Sequence, residues 1–383
     1  MRSIFKLFLL AVGASAFLTA CDKVDELPYY DSGSATTLTA SSNAIVLTAP
    51  DSNKVALTLS WTDPGYTIDS SNVKYTIEID ATGNNFMKAA RRIVMTSKST
   101  NFLAKELNTI LLGMGFPFNA PVDMEVRVIS SHANNNEPLP SNTVPIKMTP
   151  YKVPPKVPLP TTERLFIVGS ATQGDWSNPV PLPTQELTRI DETTFGGIFQ
   201  LNGGKEFLLL PLNGNWDHKY AVADNTVPGL NTGGEFGYDF AQNIPGPANS
   251  GLYKIIVDFQ AGRFTVTEFT QQHGLPENLF IVGGATPGGW TNPVPVPQQQ
   301  FTRVNATQFV IANLALTAGE KYLFLPENGN WGMKFGAVDG GASDIGLGGP
   351  FVPEGQDMPA PGTSGNYKIT VDFIDNSYKL VKL

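Results

Sequence analysis

The chain has 383 residues, a formal charge of −8, 37 Gly, 30 Pro and a single Cys. That length is too great for one ordinary core and predicts two or three domains. With no cluster of Lys or Arg beyond Arg91-Arg92, the acidic balance excludes an electrostatic footprint for nucleic acid and favours an uncharged partner.

Residues 1–20 read as an export signal, with Arg2 and Lys6 as the positive start and Phe8 to Phe17 as an apolar stretch too short to span a membrane. Leu18-Thr19-Ala20-Cys21 has the form of a lipobox, which makes Cys21 the lipidation site and the first residue of the mature chain. An unpaired exposed thiol is a liability in an oxidising compartment, and lipidation removes it. Each buried methylene contributes only ~0.8 kcal/mol, so stable anchoring needs more than one acyl chain, as on a triacylated Cys. The expected location is the outer membrane, lipid-anchored and facing the cell surface. Asp22 to Glu26 is either a sorting signal or a solvated tether. The stretch 27–41, rich in Ser, Thr, Ala and Gly, cannot bury enough apolar surface to order itself, so residues 21–41 are expected to be a flexible tether.

Residues 42–149 carry short alternating apolar runs: Val46 to Thr48, Val55 to Thr62, Val73 to Asp80, Ile93 to Thr96, Met124 to Ser130 and Thr143 to Lys147. Such alternation, bounded by Pro, Gly, Asn and Asp, predicts a half-buried antiparallel sandwich. Trp61 is in phase with Leu57 and Leu59 and belongs to the core. One short amphipathic helix is expected over Ala104 to Met114, where Leu107, Ile110, Leu111 and Met114 recur at spacings of three and four. Prolines between 150 and 161 predict an extended, semi-rigid linker.

Beyond it the chain repeats. Leu165 to Gly169 returns 114 residues later as Leu279 to Gly283, Trp176 to Pro181 as Trp290 to Pro295, and Tyr253-Lys254-Ile255 as Tyr367-Lys368-Ile369. Asn213-Gly214-Asn215-Trp216 returns after 115 residues as Asn328-Gly329-Asn330-Trp331. A period this long marks duplicated domains, not a solenoid. Residues 162–270 and 276–383 are therefore two β-sandwich modules of about seven strands each, and the short link 271–275 keeps them close. The fold class is all-β throughout.

Hydrolysis needs a carboxylate pair, an activated nucleophile or a metal cluster, and duplicated modules should duplicate it. The three His, at 132, 218 and 273, have no ligand spacing, and Asp258 and Asp372 are expected to pair with Lys254 and Lys368. No catalytic residue, metal site or cofactor is expected. What recurs is aromatic. Asn-Gly between apolar runs is a hairpin signal that places Trp216 and Trp331 at a turn tip, followed three residues on by Lys219 and Lys334. A sugar ring offers weakly positive C–H bonds on its face and hydroxyls around its edge, which suits an indole flanked by hydrogen-bond donors. Trp176 and Trp290, each in a Pro-rich loop, are either further platforms or plugs at the sandwich end.

The lipobox, the run Leu57-Thr58-Leu59-Ser60-Trp61, the Pro-rich linker, and two modules with Val168-Gly169-Ser170-Ala171-Thr172 ahead of Trp176 and Asn215-Trp216 ahead of Lys219 together resemble the SusE/SusF-type glycan-binding lipoproteins of the starch-utilisation system. The resemblance implies an immunoglobulin-like spacer followed by starch-binding modules at the outer membrane, beside a TonB-dependent porin and its partner lipoprotein. It implies glycan contacts at Trp216, Lys219, Trp331 and Lys334, and at Trp176 and Trp290. The ligand implied is a polysaccharide, an α-glucan first. The Pro-Val-Pro segments after Trp176 and Trp290 depart from the pattern and stiffen that loop. A surface adhesin or assembly lipoprotein, with its aromatics turned to a protein partner, is the alternative reading.

Overall fold

The computed structural model describes residues 33–66, 72–342 and 345–383; Cys21 and the export signal lie outside the described residues. The chain divides into two compact units, Met1–Pro154 and Pro155–Leu383. The first is a β-sandwich, as its alternation predicts, the second holds the two duplicated β modules, and their described part contains a single α-helix.

The first unit runs β1 (Leu38–Ala40), β2 (Ala44–Val46), β3 (Val55–Trp61), β4 (Val73–Ala81), β5 (Ala90–Met95), β6 (Ser99–Leu103), α1 (Ala104–Gly113), β7 (Val122–His132), β8 (Leu139–Pro140) and β9 (Val144–Thr149). One sheet has the order β1-β3-β6; the other has the order β2-β9-β7-β4-β5, with β8 beside β7. Alternation sends Leu57, Leu59 and Trp61 of β3 inward against Tyr75, Ile77, Val126 and Val128 of the facing sheet. Trp61 is buried, with its ring 5.2 Å from Tyr75. Glu106 reaches back to the Leu103 N–H at 2.7 Å and starts α1, which lays Leu107 and Leu111 over the core. Arg91 does not serve as a surface patch: with Arg127 it clamps the buried Glu78 carboxylate, both at 2.8 Å.

Two boundaries differ from the sequence expectation. Residues 38–40 are not tether, because β1 pairs with β3 in the register Leu38 to Trp61 and buries Leu38. The linker is shorter than 150–161 as well. Tyr151 is held by both ends of the Asn108 carboxamide, at 2.8 and 3.1 Å, so the first core extends to it. Val157 is buried in the next module and its N–H bonds to Phe259 at 3.2 Å. Apolar residues between the prolines found cores to join, and composition alone did not register them.

The first module contains β10 (Phe166–Val168), β11 (Thr188–Arg189), β12 (Thr194–Leu201), β13 (Glu206–Leu210), β14 (Tyr220–Ala221), β15 (Gly233–Glu235), β16 (Gly237–Tyr238), β17 (Ile244–Pro245), β18 (Gly251–Asp258) and β19 (Arg263–Glu268). The second contains β20 (Phe280–Val282), β21 (Thr302–Arg303), β22 (Gln308–Leu316), β23 (Lys321–Leu325), β24 (Phe335–Ala337), β25 (Gly348–Pro353), β26 (Met358–Pro359), β27 (Gly365–Asp372) and β28 (Ser377–Lys382). These are more strands than the seven expected, because short bridging pairs cannot be told from turns by pattern. In the first module the layers are β10-β13-β14-β16 and β11-β12-β18-β19-β15. In the second, the uninterrupted β25 pairs with both β24 and β28, which joins the layers into one nine-stranded sheet. On β18 Ile255 and Val257 point inward and are buried, and Phe259 just past its end continues the same buried face.

The two modules share an interior. Ala306 of the second is fully buried in the core of the first, and Ile198 of the first lies in the core of the second. Around Ala306, Thr188 Oγ1 meets Asn305 Oδ1 at 2.7 Å and Thr307 Oγ1 at 2.8 Å, and the Ala306 N–H donates to the Glu186 carbonyl at 2.9 Å. Lys254 donates to the Ile374 carbonyl across the same seam. It does not pair with Asp258, since four residues along a strand is about 13 Å, beyond easy reach. Asp258 instead accepts the Ala261 N–H, and Asp372 accepts the Ile374 N–H and the Gln308 carboxamide. Ala306→Asp, which buries an unpaired carboxylate, is expected to cost on the order of 2–4 kcal/mol. Hydrogen exchange on the intact protein should then quicken in both modules and stay unchanged in residues 33–150.

Candidate functional site

In each module a long loop leaves the first strand and is fastened down at fixed points. The first runs from Gly169 to Leu187 and returns beside β10, where Glu186 bridges to Phe166. The buried Gln185 carboxamide donates to the Ile167 carbonyl at 2.7 Å and accepts the Gly174 N–H at 2.7 Å, tying the loop to the strand it left. Gln299 does the same to Ile281 and Gly288, at 2.7 and 2.8 Å.

A second loop, residues 211–219, joins β13 to β14, which pair through Leu209 and Tyr220. It is a nine-residue excursion and not the tight hairpin that Asn-Gly suggests. The glycines still make the turn, with φ of +86° at Gly214 and +94° at Gly329, where glycine carries no steric cost. The asparagines act across the loops. Asn213 Oδ1 accepts the Val180 N–H at 2.7 Å while its Nδ2 donates to the Val180 carbonyl, and Asn178 Oδ1 accepts the Gly214 N–H at 2.6 Å. In the second module Asn328 holds Val294 and Asn292 holds Gly329, both at 2.7 Å.

This clamp brings together what the sequence separates by forty positions. The Trp176 and Trp216 rings lie 6.5 Å apart, inclined by 43°, and Trp290 and Trp331 lie 6.5 Å apart, inclined by 37°. Trp216 is 49 % exposed, Trp331 47 % and Trp290 45 %; Trp176 is half-buried against the small cluster of Phe166, Val180 and Leu210. None of the four is sealed inside a sandwich. A side-chain Cβ at Gly284 would stand 3.4 Å from Trp290 Nε1 and 2.5 Å from Glu320 Oε2, so a carboxylate borders that indole's polar edge.

The lysines behave differently. Lys219 Nζ donates to the Ala241 carbonyl at 3.2 Å and holds a neighbouring turn. The Lys334 N–H donates to the Glu354 carboxylate at 3.3 Å. Among the described residues no cation stands over any of the four indoles. Sequence reasoning missed Asn178, Asn213, Gln185 and their counterparts, although each recurs at the repeat offset. Their role depends on a loop-to-loop contact that periodicity does not report.

Removing the clamp should separate the rings. Asn213→Ala leaves both polar groups of the Val180 backbone unpaired and is expected to cost about 1–3 kcal/mol. The coupled-indole signal in circular dichroism should lose the first module's share, with Trp176 and Trp216 still present.

Residues 23–129, within the first unit, match the family model described as SusE outer membrane protein. No curated protein matches the chain. Among solved structures, SusF from Bacteroides thetaiotaomicron is similar at 19 % identity and a TM-score of 0.33, over 91 % of this chain and 77 % of that one. The E. coli chaperone DraB is similar at 14 % identity and a TM-score of 0.19, over 61 % of this chain and all of that one.

Proposed function

We propose, on the match of residues 23–129 to the SusE outer membrane protein model, that the chain's two modules hold an α-glucan at the cell surface without cutting it. The observation that carries the reading is the duplicated pair of inclined indoles, of which Trp216, Trp290 and Trp331 are exposed and Trp176 is half-buried. In a β-1,4-linked ribbon successive rings share one mean plane and call for parallel platforms. An α-1,4 linkage turns each ring against the last, so the chain curls, and two indoles inclined by about 40° present their faces to neighbouring rings of such a curl.

Lys219 and Lys334 then act at the rim, once a ligand hydroxyl competes for the Lys219 ammonium. Asp258 and Asp372, which match at the repeat offset, cap backbone N–H groups, and Asp372 is pushed above the usual carboxylate range by burial. That is a structural use of those groups and supports retention without hydrolysis. Lipidation at Cys21 anchors the protein, and a TonB-dependent porin with its partner lipoprotein takes the retained glycan.

The test is migration of the full protein in native gels cast with soluble polysaccharides. Amylose and amylopectin should retard it, a β-1,4-glucan should not, and no new reducing ends should appear on long incubation. Equal retardation by the β-glucan would remove the α-glucan assignment, and none by any glycan would remove the reading.

A further inference from the structure

The loop 211–219 has a second face. It forms one wall of a pocket of about 300 Å³ in the first module, bordered by the proline segment 158–162 and by the β14 and β16 strands. Leu159, Leu212, Asn215, His218, Tyr220 and Tyr238 line it; neither tryptophan does. Given the glycan reading on which this rests, we infer that this pocket is a separate binding site for a neutral sugar unit, present in the first module and not in the second.

The lining has the two properties a sugar ring needs. Leu212 and Tyr238 are exposed, and the Tyr238 ring stacks with His218 at 5.1 Å and 27°, which gives an apolar and aromatic wall. Beside it stand two hydrogen-bonding groups. His218 Nδ1 lies 2.9 Å from Asp239 Oδ2, and His218 holds that carboxyl below its usual range. With Nδ1 taken by Asp239, the other ring nitrogen, Nε2, is left to meet a ligand hydroxyl. The Asn215 carboxamide uses one N–H on Asp217 at 3.0 Å and keeps a second to give. No Lys or Arg lines the pocket, so an anionic group finds no counter-charge there. The volume is at the small end for ligand sites, fitting one or two rings.

The second module shows why the site is single. At the repeat offsets, Leu212, His218 and Tyr238 become Glu327, Met333 and Pro353, and Leu159 becomes His273. His273 fills the corresponding place. Its ring packs edge-on to Phe335 at 6.0 Å, and its Nε2 meets Glu354, the counterpart of Asp239, at 2.6 Å. The duplication has been closed from within by the link between the modules.

The experiment uses saturation-transfer NMR with maltotriose on the full protein, on a variant with Trp176, Trp216, Trp290 and Trp331 all changed to Ala, and on that variant carrying Tyr238→Ala or His218→Ala. Circular dichroism confirms folding of each. The four-Ala variant should still show saturable transfer, and either further change should weaken it about tenfold or more. Transfer to the wild type that vanishes in the four-Ala variant, or that survives both further changes, would overturn the pocket while leaving the glycan reading intact. No transfer to the wild type would remove that reading and the pocket with it.

Discussion

Changing Trp216 and Trp331 together to Ala is expected to cut retardation of the full protein by amylose to the weak remainder that the separate pocket can hold, while shifting its stability by only ~0.5 kcal/mol. Both rings are close to half exposed, so truncation opens no cavity in either sandwich. Function should respond much more strongly than stability. Each indole is one of a pair, and the remaining Trp176 or Trp290 offers one face where a curling chain needs two. Either single change should leave one working module and cost about 10²-fold in apparent affinity for a long glycan, because the second contact is intramolecular and is lost entirely. For a ligand too short to bridge the modules, each single change should remove the indole-pair site of its own module and leave the affinity of the other module untouched. Loss of the fold in the double variant would show that the indoles are structural and would count against the proposed role.

Gly283→Ala should have the largest effect on stability. This residue ends β20 at a φ of +152° and lies against the next strand so closely that an added Cβ would stand 2.3 Å from the Lys321 carbonyl oxygen and 2.4 Å from the Tyr322 Cα. Those are backbone atoms of a core strand and cannot step aside without parting β20 from β23. A destabilisation of about 3 kcal/mol or more is expected by chemical unfolding. The loop that begins here carries Trp290, so the second module should also lose its site with both indoles in place. Gly289 provides the contrast. Its φ is +58° but nothing lies within contact distance, and the first module has Asp175 at the same position with φ of +51°. Gly289→Asp should therefore be nearly silent.

The readable parts of this chain were those governed by local periodicity. Leu57, Leu59 and Trp61 alternate and are buried together; Leu107 and Leu111 share a helical face and cover the core. The repeat offset found both modules and every tryptophan that ends near a surface loop. Long-range pairing was not legible. Nothing in Leu38 to Ala40 distinguishes a tether from an edge strand until β3 offers it a partner. Ala306 looks like an ordinary loop residue, yet it sits in the core of the other module. Lys219 follows Trp216 at a spacing that suggests a shared ligand, but its ammonium found the Ala241 carbonyl, which no local pattern foretells. The tryptophan pairs were assembled by Asn178, Asn213, Asn292 and Asn328, whose side chains act between loops and not along them.

Whether a glycan covers the two indole pairs is read most directly by acrylamide quenching of tryptophan fluorescence. Of the five tryptophans in the chain, Trp61 is buried and supplies a constant background. Saturating maltoheptaose should shield the remaining rings and lower the quenching constant severalfold. Quenching that stays unchanged at saturation would place the ligand elsewhere and contradict the account.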